Sequence, residues 1–347
     1  MSPDLSTPTR VRVLYLAGSG RSGSTVVSNI LGQLPRTFAA GELRYLWQRG
    51  VEQDHLCGCG EAFSSCPVWT AVMKRVREAD GPSTDEAAIG RRLRTRLRLA
   101  RLPGAIVRGA LGRPPLAAHA DDEVIARLYR AIAQEADADL IIDGSKLPPY
   151  ALLLRQQPGI ELFVLHLVRD PRATAFSWLR HKPTQDTAEG AEMQRQETWK
   201  SSLLWTVWNL TVARFWKDGG PRVCRLRYED FVADPVGQLS RVATMVGTDP
   251  DQLPFVGPDR VQLAPTHSVA GNPNRHDTGV VRLRSDDQWR TAMTRRDRAI
   301  VTLVTVPGLR RFGYPLNTRV RPRPARVTPP QSAPSAPTRS APSAPSA

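Results

Sequence analysis

No uninterrupted apolar run in this 347-residue chain is long enough to cross a bilayer, which excludes an ordinary transmembrane helix. The first ten residues lack the apolar stretch of a secretory signal, so a soluble, cytoplasmic protein is expected. Only four cysteines occur, too few for a disulfide scaffold in a chain of this length. Acidic residues are missing from residues 91–108, which hold seven arginines, and from the whole stretch after Ala299. The formal net charge is +15, yet the basic stretches lack interleaved aromatics and any nucleic-acid-binding signature, so no nucleic-acid partner is expected. Such charge suits an anionic substrate instead, or peripheral contact of residues 91–108 with an anionic membrane.

What is present is a chain with 41% apolar residues, enough for a sizeable core. Strand candidates recur at 12–17, 139–143, 161–168 and 222–227, separated by helical patterns, notably 122–136 and 196–217. That alternation predicts an α/β fold of three layers, α/β/α, around a mostly parallel central sheet. The domain is expected over 11–316, with a variable insertion at about 52–120. Residues 1–10 read as a flexible N-terminus and 317–347, rich in Pro, Ser and Ala, as a disordered tail.

The most informative stretch is 14–31. An apolar strand runs into Gly18-Ser-Gly-Arg-Ser-Gly-Ser-Thr25, and a helix pattern follows with Val26, Val27, Ile30 and Leu31 on one face. Strand, glycine-rich turn and helix N-terminus make an anion cradle, because unpaired N–H groups converge where the helix dipole is positive. Ser19, Gly20, Arg21, Ser22, Gly23, Ser24 and Thr25 are the cradle residues. The glycine spacing fits an ATP-binding P-loop, but Ser24 stands where that loop has its lysine, and the cation is Arg21 inside the loop. An ordinary ATPase is therefore disfavoured.

A second signal lies at 165–182. A strand ends at Val168, Arg169 follows, Asp170-Pro171 starts a helix, and Ser177 lies one to two turns along it. Arg169 and Ser177 are placed to grip one anion, and the planar guanidinium fork matches phosphate oxygens. The competing reading is a structural arginine paired with Asp170 or Glu161.

Together the two segments resemble the sulfotransferases that use 3′-phosphoadenylyl sulfate (PAPS), whose fold is P-loop-like. The resemblance implies that the 18–25 loop binds the 5′-phosphosulfate and that Arg169 and Ser177 bind the 3′-phosphate. It also implies that Tyr228, opening Tyr228-Glu-Asp-Phe231, lies near adenine, and that Arg275 in the 267–275 loop closes on the nucleotide. In Ile141-Ile-Asp-Gly-Ser-Lys146, the lysine occupies the slot where cytosolic members carry a histidine. Lysine is a good electrophile and a poor base, so the base is sought in Ala40-Gly41-Glu42-Leu43-Arg44, where Glu42 matches the Gly-Glu segment of tyrosylprotein sulfotransferases. Catalysis is thus expected from Glu42 as base, with Lys146 and Arg21 stabilising charge. PAPS is the co-substrate, no metal is required, and the acceptor is a small molecule, a glycan or a lipid. His166 and His181 are the fallback bases.

Cys57, Cys59 and Cys66 with His55 offer a zinc reading. The Cys-x-Cys spacing and the guessed fourth ligand favour free or redox-active thiols on a rim loop, and no metal site is expected. Trp199, Trp205, Trp208 and Trp216 read as core residues. Two other functional classes stay open: an atypical P-loop nucleotide kinase or NTPase, for which Asp143 is the one strand-end metal holder, and a non-catalytic basic binding protein.

Overall fold

The computed structural model describes residues 10–80, 85–180, 195–217 and 219–317. The expectations for 1–10 and 317–347 lie almost entirely outside the described residues, as does His181. The described chain begins with β1 (Val11–Ala17), followed by α1 (Ser24–Leu31) and β2 (Thr37–Gly41). A 3-10 turn (Leu43–Tyr45) and a π-helical stretch (Leu46–Glu52) lead to α2 (Pro67–Asp80), α3 (Glu86–Arg96), α4 (Leu102–Ala110) and α5 (Asp121–Glu135). Then come β3 (Leu140–Lys146), α6 (Pro148–Arg155), β4 (Ile160–Val168), α7 (Pro171–Leu179), α8 (Thr198–Phe215), β5 (Val223–Arg227), α9 (Tyr228–Ala233) and α10 (Pro235–Met245). Three short strands, β6 (Phe255–Gly257), β7 (Arg260–Leu263) and β8 (Gly279–Arg282), precede α11 (Trp289–Ala292) and α12 (Arg295–Arg311).

β1 to β5 form one parallel sheet in the order β2-β3-β1-β4-β5. Side chains alternate across a strand, and the cores follow that period. Val13, Tyr15 and Ala17 of β1 join Ile141 and Val164 in one apolar cluster, closed by α2, α5 and α6. Leu14 and Leu16 join Ile142, Leu165 and Leu167 in a second, closed by α1 and α10. Within that second cluster Val27, Ile30 and Leu31 are buried and Val26 packs at its edge. Burying each such side chain contributes about 1.5–3 kcal/mol, so the two faces hold the layers together.

The expected strands and long helices correspond to β1, β3, β4, β5, α5 and α8. β3 runs past Asp143 to Lys146, with a register slip opposite Tyr15 and Ala17. β2 and the antiparallel β6-β7-β8 sheet were not in the sequence pattern. The register matters for chemistry: Ala17 pairs with both Lys146 and His166, and Val168 with Arg227, so the carboxyl ends of the strands form one rim. Ligands bind at such rims in open parallel sheets.

Four arginines of the basic stretch are engaged in ion pairs: Arg91 with Asp85, Arg92 with Asp121, Arg94 with Glu52 and Arg96 with Asp122. Among the described residues no helix is long and apolar enough to cross a membrane.

Candidate active site

The loop after β1 is shaped by glycines with no room for a side chain. Gly18 has φ 132°, and a Cβ there would lie 2.3 Å from the carbonyl oxygen of Leu167. Gly23, at φ 90°, would put one 2.4 Å from the Tyr228 ring. Arg21 is itself left-handed at φ 64°, a conformation that costs a non-glycine residue about 1 kcal/mol or more and is held by its surroundings. Its guanidinium stacks on Trp178 at 4.6 Å. Ser22 donates its hydroxyl to the Ser19 carbonyl (2.8 Å), which pinches the loop. Helix α1 then starts on Gly23, with no side chain capping its N–H groups. Ser19 Oγ is buried with no hydrogen-bond partner among the described residues. An uncapped helix start beside an orphaned hydroxyl fits an anion.

Arg169 follows β4. Both partners of the structural reading are taken, since Asp170 is held by Arg172 (2.7 Å) and Glu161 by Arg222. Arg169 instead donates from Nη1 to the Arg21 carbonyl (3.2 Å) and from Nη2 to the Asp286 carbonyl (3.3 Å). It stacks over Tyr228 at 4.7 Å and faces the Asp286 carboxylate at 3.5 Å. Burial opposes ionisation of Asp286, but Arg180 and Arg169 outweigh it and hold the carboxyl below its usual range.

On the opposite side, β2 and β3 end together. Lys146, also at φ 64°, donates to Glu42 Oε1 (2.8 Å) and to the Gly144 carbonyl (2.7 Å). Arg44 Nη2 lies 3.9 Å from the other Glu42 oxygen, and its guanidinium covers the Tyr45 ring at 3.9 Å. Burial pushes the Glu42 pKa up, yet Lys146 and Arg44 pull harder, and the carboxyl sits below its ordinary value. Behind them, the Arg44 N–H donates to Ser145 Oγ (3.0 Å), and Ser145 and Tyr129 both donate to Asp143. Asp143 is fully buried, and desolvation raises its pKa to about 6 against those donors.

These groups open on one cavity of about 680 Å³, a size suited to a cofactor-sized ligand. Its lining includes Ser19, Gly20, Arg21, Gly23, Ser24, Thr25, Glu42, Lys146, Arg169, Ser177 and Tyr228. Two expected site residues are placed otherwise. The Ser22 hydroxyl is turned into the loop. Arg275 is buried outside the lining and donates to the Leu56 carbonyl (2.6 Å), because its 3-10 turn (Pro273–His276) points it inward; its neighbours Gly271, Asn272 and Asn274 reach the cavity.

Other lining residues are Arg44, Trp178 and Arg180, which lie in the segments read above without being singled out, and Tyr45 and Asp286, which lie outside them. Trp178 was the nearest to being found, next to Ser177 on α7. Trp205 is core, as expected, but also borders the cavity, while Trp199 is exposed. Trp208 lines the cavity with its Nε1 buried and unpartnered among the described residues. His166 is buried against Asn209 (3.0 Å) and does not line the cavity. His55 lines the cavity, and the histidine grouped with the three cysteines is His267, with Nδ1 3.3 Å from Cys66 Sγ.

The profile described as "Sulfotransferase family" matches residues 14–252. Carbohydrate sulfotransferase 2 of Mus musculus and that of Homo sapiens are each 24% identical over 338 residues, covering 82% of this chain. The chain spans 61% of the length of these relatives. Among solved structures, the sulfotransferase domain of the Synechococcus PCC 7002 olefin synthase superposes with a TM-score of 0.52 at 18% identity, covering 90% of this chain and 98% of that one. That likeness concerns the fold: a P-loop-like α/β architecture around a parallel sheet. The family match takes in the glycine-rich 18–25 loop, the strand ends bearing Glu42 and Lys146, and the Arg169 segment, and this chain belongs to the sulfotransferase family.

Proposed function

We propose that this chain transfers a sulfuryl group from PAPS to a hydroxyl group of a small-molecule, glycan or lipid acceptor, by in-line displacement and with no metal in the transfer step. The observation that carries the reading is the convergence of two cationic arms on one cavity, with Arg169 Nη1 only 3.2 Å from the Arg21 carbonyl. A ligand anionic at both ends fits that arrangement. The orphaned Ser19 hydroxyl, the uncapped start of α1 and the glycines that keep the loop open all fit a phosphosulfate.

PAPS supplies the activated sulfuryl group. Backbone N–H groups from Gly20 to Thr25 hold the 5′-phosphate, Arg169 and Ser177 hold the 3′-phosphate, and Tyr228 flanks the base. Arg21 and Lys146 stabilise charge developing around the transferring group, and most of the rate comes from such positioning and fixed charge. Glu42 takes the acceptor proton. Its pairing with Lys146 keeps it ionised in the resting protein. When Lys146 turns to the incoming anion, its lowering influence is withdrawn while those of Arg44 and Arg49 stay, and burial then makes the carboxylate a stronger base than in the resting protein.

The nucleotide-kinase reading is weaker. Asp143, its strand-end metal holder, is enclosed by Tyr129 and Ser145 and does not line the cavity. One thermal-shift series separates the three classes. The spent donor, 3′-phosphoadenosine 5′-phosphate (PAP), should raise the melting temperature without magnesium, and PAPS with an accepted hydroxyl compound should release PAP. A shift with ATP-Mg equal to that with PAP would favour the kinase class, and PAP binding without turnover of any acceptor would favour the binding protein. No shift with PAP would overturn the reading.

A further inference from the structure

We propose that Cys57, Cys59, Cys66 and His267 form a tetrahedral Zn2+ site that staples the loop before α2 to the segment leading into the cavity residues Gly271 and Asn272. The inference is independent of the reaction assigned above. The four ligand atoms lie within 4.8 Å of one another. Zn–S bonds of about 2.3 Å and Zn–N bonds of about 2.05 Å imply tetrahedral edges of about 3.8 Å between sulfurs and about 3.6 Å between sulfur and nitrogen. Cys59 and Cys66 are 3.8 Å apart, and His267 Nδ1 is 3.3 Å from Cys66 and 3.9 Å from Cys57. A disulfide, by contrast, needs sulfurs about 2.05 Å apart and leaves the third thiol and the imidazole without a role.

The surroundings support a closed site. Cys57 and Cys66 are fully buried, Cys59 and His267 half-buried. Cys66 stands at the N-terminus of α2, where the dipole favours a thiolate. His267 is fixed by the bond from Trp69 Nε1 to its carbonyl (2.7 Å) and by a parallel stack on Phe38. The Cys57-Gly58-Cys59-Gly60 turn closes with Gly60 N–H on the Cys57 carbonyl (2.9 Å), and a Cβ on Gly58 would lie 2.5 Å from Ser268 Oγ, so the two segments run flush.

Binding displaces three thiol protons and leaves Zn(Cys)3(His) with one net negative charge. Arg275, buried and bonded to the carbonyl of Leu56 next to the first ligand, supplies an opposite charge. Four protein ligands leave no open position, so the ion is structural. Its mechanical effect reaches the cavity through two backbone bonds, Gly58 N–H to Ser268 O (2.9 Å) and Val269 N–H to Ala40 O (3.0 Å), the second beside the strand end that presents Glu42.

The test is metal analysis of the full chain purified in a thiol reductant without added metal. About one zinc per chain is expected. Cys57→Ser/Cys66→Ser should lose it, while Cys224→Ser, at a cysteine outside the cluster, should keep it. Cobalt added to chelator-stripped protein should give the intense visible bands of a tetrahedral thiolate complex, which needs no variant to fold. Stripping the zinc should lower Tm by about 10 °C. Zinc-free protein that takes up neither Zn2+ nor Co2+ would overturn the proposal. So would a Cys59–Cys66 disulfide in the mass spectrum, another metal in the site, or zinc retained by the double variant.

Discussion

Replacing Arg169 with alanine offers a calculable test of how the donor is gripped. Among the described residues, the guanidinium's polar contacts are at 3.2 Å, 3.3 Å and 3.5 Å. A phosphate offers shorter, charge-assisted bonds, each contributing about 1.5–3 kcal/mol. Two such bonds, less the contacts surrendered to Asp286, leave about 2–4 kcal/mol, or about 30- to 1,000-fold in Kd. Titration calorimetry with two ligands differing by one group makes the reading specific. PAP carries the 3′-phosphate, and adenosine 5′-phosphate does not. Arg169→Ala should weaken PAP by that factor and change adenosine 5′-phosphate by less than about threefold, the slack that ordinary contact changes allow. Arg169→Lys keeps the charge but loses the fork, and should fall between, at about tenfold. Equal weakening of both ligands would refute the assignment. It would mean that Arg169 acts by bracing the loop through the Arg21 carbonyl and the Tyr228 ring.

Glu42→Gln should lower turnover at least about 100-fold with PAP affinity nearly unchanged; full activity would send the base elsewhere. Lys146→Met removes the largest of the charges that lower the Glu42 carboxyl, with Arg44 remaining, so the acid limb of kcat/KM should move to higher pH. An unmoved limb would sever Glu42 from that profile. Gly23→Ala places a Cβ 2.4 Å from the Tyr228 ring at φ 90°, and should weaken PAP at least about tenfold and cost about 2 kcal/mol or more of stability, the stability alone being partly restored by adding Tyr228→Ala. Asp143 has a raised folded pKa of about 6 against 3.8, so the folded state holds its proton more tightly and loses stability as pH rises between those values. Asp143→Asn should therefore gain about 2–3 kcal/mol relative to wild type between pH 4 and pH 7 in urea unfolding, and parallel curves would refute it.

The β1-loop-α1 unit was legible because glycine spacing and the switch from a two-residue to a helical period are local signals. β2 was not: Thr37-Phe-Ala-Ala-Gly41 is short, weakly branched and draws its stability from pairing with β3. Glu42 and Lys146 were found by resemblance, but their 2.8 Å pairing belongs to register, which no short window encodes. Asp286 sits 117 residues from Arg169 and competes for it, and His267 sits 201 residues from Cys66. Arg275 misled because loop sequence says which residues are basic and not which way a 3-10 turn aims them.

The parallel sheet has a bearing on how such a chain varies. Arg21, Glu42, Lys146, Arg169 and Tyr228 are each delivered by the carboxyl end of a different strand, and hydrogen bonds between neighbouring strands hold those ends at a set spacing. The near-hundred residues between Gly41 and Leu140 leave and re-enter the sheet at adjacent strands. Lengthening, trimming or exchanging the part of that excursion beyond Arg44 should therefore alter the cavity wall that Tyr45, Gln48, Arg49, Gln53 and His55 provide, while Arg21, Lys146, Arg169 and Tyr228 keep their mutual distances, which makes it the segment to swap in testing the proposed acceptor side.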